Sequence, residues 1–282
     1  MILIADGGST KVDWACIDKN KNEIFRTQTQ GLNPNVVSAN ELHSRIINSE
    51  KINIHANYIE YIYFYGAGCG TETPKKHLNE VLNSIFCKAN ITVDEDILGA
   101  VYASAGKQEA IVAILGTGSN SCYFNGLKTE YSSPSLGYSI MDEASGNYFG
   151  KKLLKDFFYK KMPEKITFQF NSDFNLNPDD IKLNLYKKEN PNMYLATFAK
   201  FLIENKNEKY VRKLVRKGFK KFFHLHIKPY NKPVSVPLFF IGSIAYFFQD
   251  ILHEIALKNS MLIKNVIQRP IDGLIDYHKE NY

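Results

Sequence analysis

Cysteine is scarce in this chain of 282 residues. There are four, Cys16, Cys69, Cys87 and Cys122, far apart and in none of the pair spacings that bind zinc or build a disulfide framework. Each is read as a small buried hydrophobe. The seven histidines make no ligand cluster either; the nearest pair, His224 and His226, falls in a basic stretch and is read as solvated. Long apolar runs are absent, none approaching the ~18 residues a spanning helix needs, and the start lacks a basic region followed by an apolar stretch and a cleavage site. A cytoplasmic protein with no membrane partner is therefore expected. No stretch fits Gly-x-x-x-x-Gly-Lys-Ser/Thr, and no Gly-x-Gly-x-x-Gly opens a helix, which excludes the P-loop and the dinucleotide fingerprint. Charge of one sign is in small excess, +6, and the basic residues Arg212, Lys213, Arg216, Lys217, Lys220 and Lys221 lie on one helical stretch without a nucleic-acid-binding module around them. They are read as a solvated face, with no nucleic-acid partner.

What is present is repetition. The chain is longer than one core usually grows, so two domains are expected, 1–106 and 107–268, with 269–282 packing back on the first. It opens as Met1-Ile-Leu-Ile-Ala-Asp6-Gly7-Gly8-Ser9-Thr10-Lys11, an apolar strand ending in an acid, two glycines and two hydroxyls, with a returning strand at 12–17 and a third at 23–30. The same pattern recurs at 110–124: an apolar strand, Gly116-Thr117-Gly118-Ser119, and a second strand closed by Asn125-Gly126. Between the copies come a helix at 36–48 with the capping box Ser38-x-x-Glu41, an aromatic strand at 58–65 ending in Gly66-Ala-Gly-Cys-Gly70, a helix from Thr73-Pro74, and a short strand at 91–93 before Asp94-Glu-Asp96 and a small-residue helix. After the second copy, helices are expected at 145–161, from Pro191, and at 208–226, with 163–190 irregular. A strand at 234–241, the turn Gly242-Ser243, a helix at 244–257, a last strand at 261–267 and a helix after Pro270 complete the chain.

Glycine turns between strands let a backbone approach an anion closely, and consecutive turn N–H groups form a concave donor site for phosphate oxygens. The hydroxyls of Ser9, Thr10, Thr117 and Ser119 add donors. Either turn alone is equally an ordinary hairpin; two, each after an apolar strand, favour phosphate binding. The strand–turn–helix at Gly242-Ser243 suits an adenosine or phosphates at a helix start.

These residues carry a resemblance. Asp6-Gly-Gly-Ser-Thr-Lys11, Gly116-Thr-Gly-Ser-Asn120 and Gly242-Ser243 resemble the two phosphate loops and the adenosine loop of the actin-like ATPase superfamily. Within it, the chain looks like the N-acetylglucosamine kinase branch of the BadF/BadG/BcrA/BcrD ATPase family. The resemblance implies an α/β fold of two ribonuclease H-like domains with a duplicated βββαβα core and an interdomain cleft. It implies ATP and Mg²⁺ as cofactors, a sugar as substrate, and leaves a homodimer open. By it, Asp6 holds Mg²⁺ through water; Gly7, Gly8, Ser9, Thr10, Lys11, Gly116, Thr117, Gly118, Ser119, Gly242 and Ser243 bind ATP; Asp96 is the catalytic base; and Asn35, Ser135, Leu136 and Asp142 bind the sugar. The family's Gly-Gly-Trp-Gly-His before Gly-Asp-Glu-Gly-Ser-Gly is replaced here by 135–146, Ser-Leu-Gly-Tyr-Ser-Ile-Met-Asp-Glu-Ala-Ser-Gly. That departure leaves the identity of the sugar open. Other roles compete at single positions: a helix cap for Asp96, a solvated loop pair for Asp142-Glu143, a turn or cap for Asn35. Two other functions compete as well, a regulatory ATPase of the dehydratase-activator type with a cysteine-held cluster, and a non-catalytic sugar or nucleotide sensor.

Overall fold

The computed structural model describes residues 1–281. The chain divides into two compact units, one of Met1–Lys107 with the segment from Arg269 onward, the other Gln108–Gln268.

The first unit begins with β1 (Ile2–Gly7), β2 (Lys11–Ile17) and β3 (Glu23–Gln30), followed by α1 (Ala39–Ile47), α2 (Glu50–His55), β4 (Tyr61–Gly66), α3 (Glu72–Ile85), β5 (Asn90–Glu95) and α4 (Asp96–Ser104). Its sheet runs β3-β2-β1-β4-β5. The two hairpin pairs are antiparallel, while β1–β4 and β4–β5 are parallel. Period-two alternation splits β1 between two cores: Leu3 and Ala5 face a cluster with Leu42, Ile46, Leu78 and Leu82 from α1 and α3, whereas Ile2 and Ile4 face the other side. Ser38 caps α1, its hydroxyl accepting from the Glu41 N–H at 3.4 Å.

The second unit contains β6 (Ala110–Leu115), β7 (Ser119–Phe124), β8 (Thr129–Glu130), α5 (Gly146–Phe158), α6 (Glu164–Asp173), α7 (Pro178–Tyr186), α8 (Pro191–Thr197), α9 (Ala199–Glu204), α10 (Lys209–Phe222), a π-helical turn Phe223–Ile227, β9 (Leu238–Ile241), α11 (Ser243–Phe247), α12 (Gln249–Lys258) and β10 (Ile263–Ile267). Its sheet, β10-β9-β6-β7-β8, repeats the strand order of the first. The expected duplication of one α/β unit is thus what the chain builds. Ile111, Ala113, Leu115, Leu238 and Phe240 face a large core filled by Phe149, Phe201, Phe219, Phe222 and Phe248. The chain then returns to the first unit as α13 (Ile271–Asn281), whose Ile271, Leu274 and Ile275 cover Ile2, Ile4, Ala15 and Ile17.

Several expectations need correction. Residues 163–190 are not irregular: they hold α6 and α7, which bury only Ile166, Phe170 and Ile181, an apolar pattern too sparse to read as a helical stripe. Pro178 opens α7, and Asn177 Oδ1 accepts from the Asp179 and Asp180 N–H groups at 2.8 and 3.3 Å. The helix expected at 244–257 is broken at the fully buried Phe248, and the one at 208–226 ends in the π turn. Cys87 is exposed, while Cys16, Cys69 and Cys122 are buried. The basic face of α10 is not simply solvated, because Arg212 and Arg216 pair with Asp250 and Glu254 of α12 at 2.6 and 2.7 Å. Among the described residues no helix is long and apolar enough to cross a membrane.

Candidate functional site

In the first unit the carboxyl ends of the parallel strands β1, β4 and β5 gather the polar residues, the end at which open α/β sheets bind ligands. β1 delivers Asp6 and Gly7, and the turn to β2 closes through the Gly8 N–H donating to the Lys11 carbonyl at 2.9 Å. Asp6 stands opposite Asp13 in the antiparallel register, and Asp13 is paired with Lys11 at 3.0 Å. Burial, then the charge of Asp13, push the Asp6 carboxyl up to about 7 against the opposing pull of Lys11. The turn is backed by Gly31, whose N–H donates to the Thr10 carbonyl at 3.0 Å; a β-carbon there would lie 2.1 Å from the Ser9 carbonyl oxygen. Only glycine allows this approach.

Asn33, rather than Asn35, makes the turn after Gly31, its Oδ1 accepting the Asn35 N–H at 2.9 Å. The Asn35 side-chain amide donates instead to the Gly68 carbonyl at 2.9 Å. Gly68 has φ +84°, and a β-carbon on it would lie 2.1 Å from Asn33 Oδ1. The glycine-rich loop after β4 is thereby tied to the segment after β3, and the Ala67 N–H ties it to the Gly7 carbonyl at 2.7 Å. At the end of β5, Asp94 pairs with Lys75 at 3.0 Å and Glu95 lies against Gly70. The cap of α4 is Glu95, and Asp96 is the first helical residue. Its charge is felt at the buried Cys69, whose thiol is pushed up to about 12, first by burial and then by Asp96. Asp6, Gly7 to Lys11, Asn35 and Asp96 thus share one end of one sheet.

In the second unit the turn Gly116-Thr117-Gly118-Ser119 is held from outside. The Gly116 carbonyl accepts the Gly146 N–H at 2.8 Å, and the Thr117 carbonyl accepts the Asn147 N–H and side-chain amide at 3.0 and 2.9 Å. These donors belong to the first turn of α5, where helical N–H groups lack partners of their own. A trans peptide sets its N–H opposite its carbonyl, so the Thr117 and Gly118 N–H groups point away from α5. Asp142 completes the clamp: one carboxylate oxygen accepts the Ser119 N–H at 3.3 Å, the other the Asn147 amide at 2.7 Å. Burial raises the Asp142 carboxyl, opposed by those two hydrogen bonds. Gly242, at φ +111°, passes so close to this turn that a β-carbon would lie 2.5 Å from the Leu115 carbonyl oxygen. Gly242 and Ser243 are therefore next to Gly116, with Ser243 opening α11.

Asp142 and Glu143 are not a solvated pair; each is 7% exposed. Glu143 sits between two left-handed non-glycine residues, Asp142 at φ 67° and Ala144 at φ 62°, a conformation that costs about 1–3 kcal/mol per residue and persists only where the surroundings enforce it. Its carboxylate is bound by His226 Nε2 at 3.0 Å and Lys221 Nζ at 3.1 Å. Burial works against the Glu143 charge, but these partners outweigh it and hold the carboxyl below its usual range. His226 is accordingly not the solvated residue expected from its basic surroundings. Ser119, Ser121, Ser132, Ser133, Ser135 and His226 line a cavity of about 10 Å³, room for one water. The buried Ser119 hydroxyl has no partner. Leu136 lies outside that lining and is exposed.

Sequence reasoning missed Asn147, Gly31, Asn33 and the Glu143–His226 pair. A glycine two residues before Asn33-Pro was a usable signal for Gly31. Nothing local marks His226, which lies 83 residues from Glu143.

No protein-family model matches the chain, and no curated protein matches it. Solved structures do. A proposed N-acetylglucosamine kinase from Porphyromonas gingivalis is 38% identical, with 100% of this chain and 99% of that one covered at a TM-score of 0.91. A proposed N-acetylglucosamine kinase from Chromobacterium violaceum is 12% identical, with 98% of each chain covered and a TM-score of 0.73. A ROK family glucokinase from Streptomyces griseus, solved with glucose and AMPPNP, is 12% identical over 99% of this chain and 98% of that one, at a TM-score of 0.58. The last two likenesses concern the fold.

Proposed function

From the premise that this chain belongs to the family of the Porphyromonas gingivalis protein, within the actin-like ATPase superfamily, we propose that it is an ATP-dependent sugar kinase of the N-acetylglucosamine kinase branch. It transfers the γ-phosphate of Mg-ATP to a hydroxyl of an amino sugar, N-acetylglucosamine or a close relative. The observation that carries this reading is the identity of 38% along the full length of both chains. The duplicated strand–glycine turn–strand units support it, because phosphoryl transfer asks little covalent chemistry of a protein beyond donors around the phosphates and a group that orients the acceptor hydroxyl.

The roles follow from the surroundings of each group. The turns at Gly7 to Lys11 and Gly116 to Ser119 take ATP phosphates, and Gly242 with Ser243 takes the nucleoside. Mg²⁺ fits beside Asp6: the buried carboxyl stands opposite Asp13, whose charge raises its pKa, so a cation relieves an unfavourable pair of charges. No group of three acidic, histidine or cysteine ligands exists among the described residues. That suits an ion which keeps several waters and binds through one or two carboxylates and the substrate phosphates. When bound, it neutralises phosphate charge. Asp96 accepts the proton of the sugar hydroxyl as the bond to phosphorus forms; its neighbour Asp94 is committed to Lys75. Asn35, Ser135, Leu136 and Asp142 remain the sugar-binding candidates, Asp142 also bonding the Ser119 N–H with one carboxylate oxygen and the Asn147 amide with the other. The dehydratase-activator alternative is disfavoured because Cys69 and Cys122, the two near glycine turns, are both buried.

Incubation with Mg-ATP and a panel of amino sugars and plain hexoses, with products identified by mass, tests the reading. One phosphorylated amino sugar is expected. ATP hydrolysis with no phosphorylated sugar would refute the kinase. In single turnover Asp96→Asn should slow transfer by roughly 10²–10⁴ while ATP binding persists; a loss of only a few-fold removes Asp96 as the base.

A further inference from the structure

Beyond the groups that meet the substrates, one buried carboxylate is held in place by an element far away in sequence. The Glu143 carboxylate is taken by His226 at 3.0 Å and Lys221 at 3.1 Å, one from the π turn after α10 and one from α10 itself. A π turn inserts an extra residue into a helix and is frequent at functional sites. Here it brings the His226 ring onto Phe222, with centroids 4.7 Å apart, and the His226 carbonyl onto the Ser121 hydroxyl at 3.0 Å. The ring is thus stacked and the backbone of the residue is held. The two residues flanking Glu143 are the left-handed Asp142 and Ala144, and Asp142 carries the carboxylate that binds the Ser119 N–H and Asn147.

We propose that His226 is a positioning residue for the second phosphate turn. By anchoring Glu143 it enforces the strained backbone at 142–144, and through that backbone it holds the Asp142 carboxylate against Ser119 and Asn147. The turn 116–119 then keeps its carbonyls on α5 and its N–H groups presented on the other side, the arrangement a nucleotide needs. Lys221, half exposed, is the weaker of the two clamps. The inference rests on the reading of 116–119 as a phosphate turn.

Nucleotide affinity tests it without any knowledge of the sugar. Calorimetric titration of ATP with Mg²⁺ into the full chain is compared for the parent, His226→Ala, His226→Gln and Lys221→Met, with thermal unfolding as the control for folding. His226→Ala should weaken ATP binding about 3- to 30-fold, the usual size of coupling through residues that touch neither ligand. His226→Gln keeps a donor for Glu143 and should recover most of the loss, which a mere packing role of the imidazole would not allow. Equal affinity in the parent and His226→Ala, or an identical loss in the Ala and Gln variants, overturns the assignment. Should His226→Ala not fold, Lys221→Met decides: a smaller loss in the same direction supports the anchor and no change refutes it. A parent that binds ATP yet phosphorylates no sugar would count against the kinase alone, and a parent that binds no ATP would remove the ground for both.

Discussion

Gly116 and Gly118 occupy the same turn, yet their surroundings differ. A β-carbon on Gly118 would lie 3.0 Å from Asp142 Oδ2, whereas one on Gly116 meets no atom within 4 Å. Gly118→Val should therefore displace the Asp142 carboxylate from the Ser119 N–H, lowering both thermal stability and ATP affinity. Gly116→Ala should leave stability within about 0.5 kcal/mol, as for a change in open space, and should weaken ATP only if its open side is the phosphate face. Thermal unfolding beside calorimetric titration reads both, and an unaltered ATP affinity in Gly116→Ala would move the phosphates elsewhere. Asp6 makes a pH prediction. Its carboxyl titrates near 3.8 when unfolded and at about 7 in the fold, so between those values the folded state holds the extra proton and stability falls as pH rises. Asp6→Asn should match the parent at pH 3 and exceed it in unfolding midpoint at pH 8, a gap that Mg-ATP should narrow by giving the parent's carboxylate a cation. A gap independent of pH would remove the unfavourable charge from the account. Asp6 was marked in the sequence by Gly7 and Gly8 directly after it, and Asp96 by Gly99 three residues on; Asn147 and His226 were not marked, since each acts on a residue distant along the chain.

At the scale of elements, tight backbone crossings decide what packs where. A β-carbon on Gly273 of α13 would lie 2.2 Å from the Ala103 carbonyl oxygen in α4, and one on Gly99 of α4 would lie 2.6 Å from Tyr65 Cβ in β4. Helix α4, which begins at Asp96, is thus seated between β4 and α13 with glycine at both contacts. His278 of α13 locks the same place: its ring bonds the Tyr65 hydroxyl at 3.0 Å and stacks on Tyr63 with centroids 4.1 Å apart. Burial depresses its pKa from 6.5 to about 4. Between those values the unfolded chain holds the extra proton, so this contribution is complete above pH 6.5 and is lost as the pH falls toward 4. His278→Gln, which keeps a partner for Tyr65 without a titrating ring, should flatten the decline of the unfolding midpoint from pH 6.5 to 4. An acid limb as steep as the parent's would mean that other groups set it. The strands were readable because β1, β4 and β6 carry unbroken apolar or aromatic runs, as expected of strands buried on both faces. The helices α6 and α7 were not, because they bury three side chains between them and are held by Asn177, Pro178 and contacts made in the finished unit.

At the scale of the whole chain, duplication was the strongest signal in the sequence, and both sheets carry the same strand order because both begin with the same strand–turn–strand. What local pattern cannot encode is the path between the copies, in which the second unit is inserted between two parts of the first. That path makes a prediction about stability. Deleting the chain from Arg269 onward removes the buried Ile271, Leu274 and Ile275 and uncovers Ile2, Ile4, Ala15 and Ile17 on the face they cover. Each apolar side chain withdrawn from a core costs about 1.5–3 kcal/mol, so the three together lose roughly 5–9 kcal/mol before the newly exposed strand face is counted. Domain stabilities are about 5–15 kcal/mol in total. The first unit should therefore unfold or become marginal in the truncated chain, while the second, with its own core of Phe149, Phe201, Phe219, Phe222 and Phe248, should survive. Hydrogen exchange followed by mass spectrometry separates the outcomes. Peptides from 1–107 should lose their protection and those from 108–268 should keep it, whereas continued protection of β1 and β4 would show that α13 merely decorates a sheet stable without it.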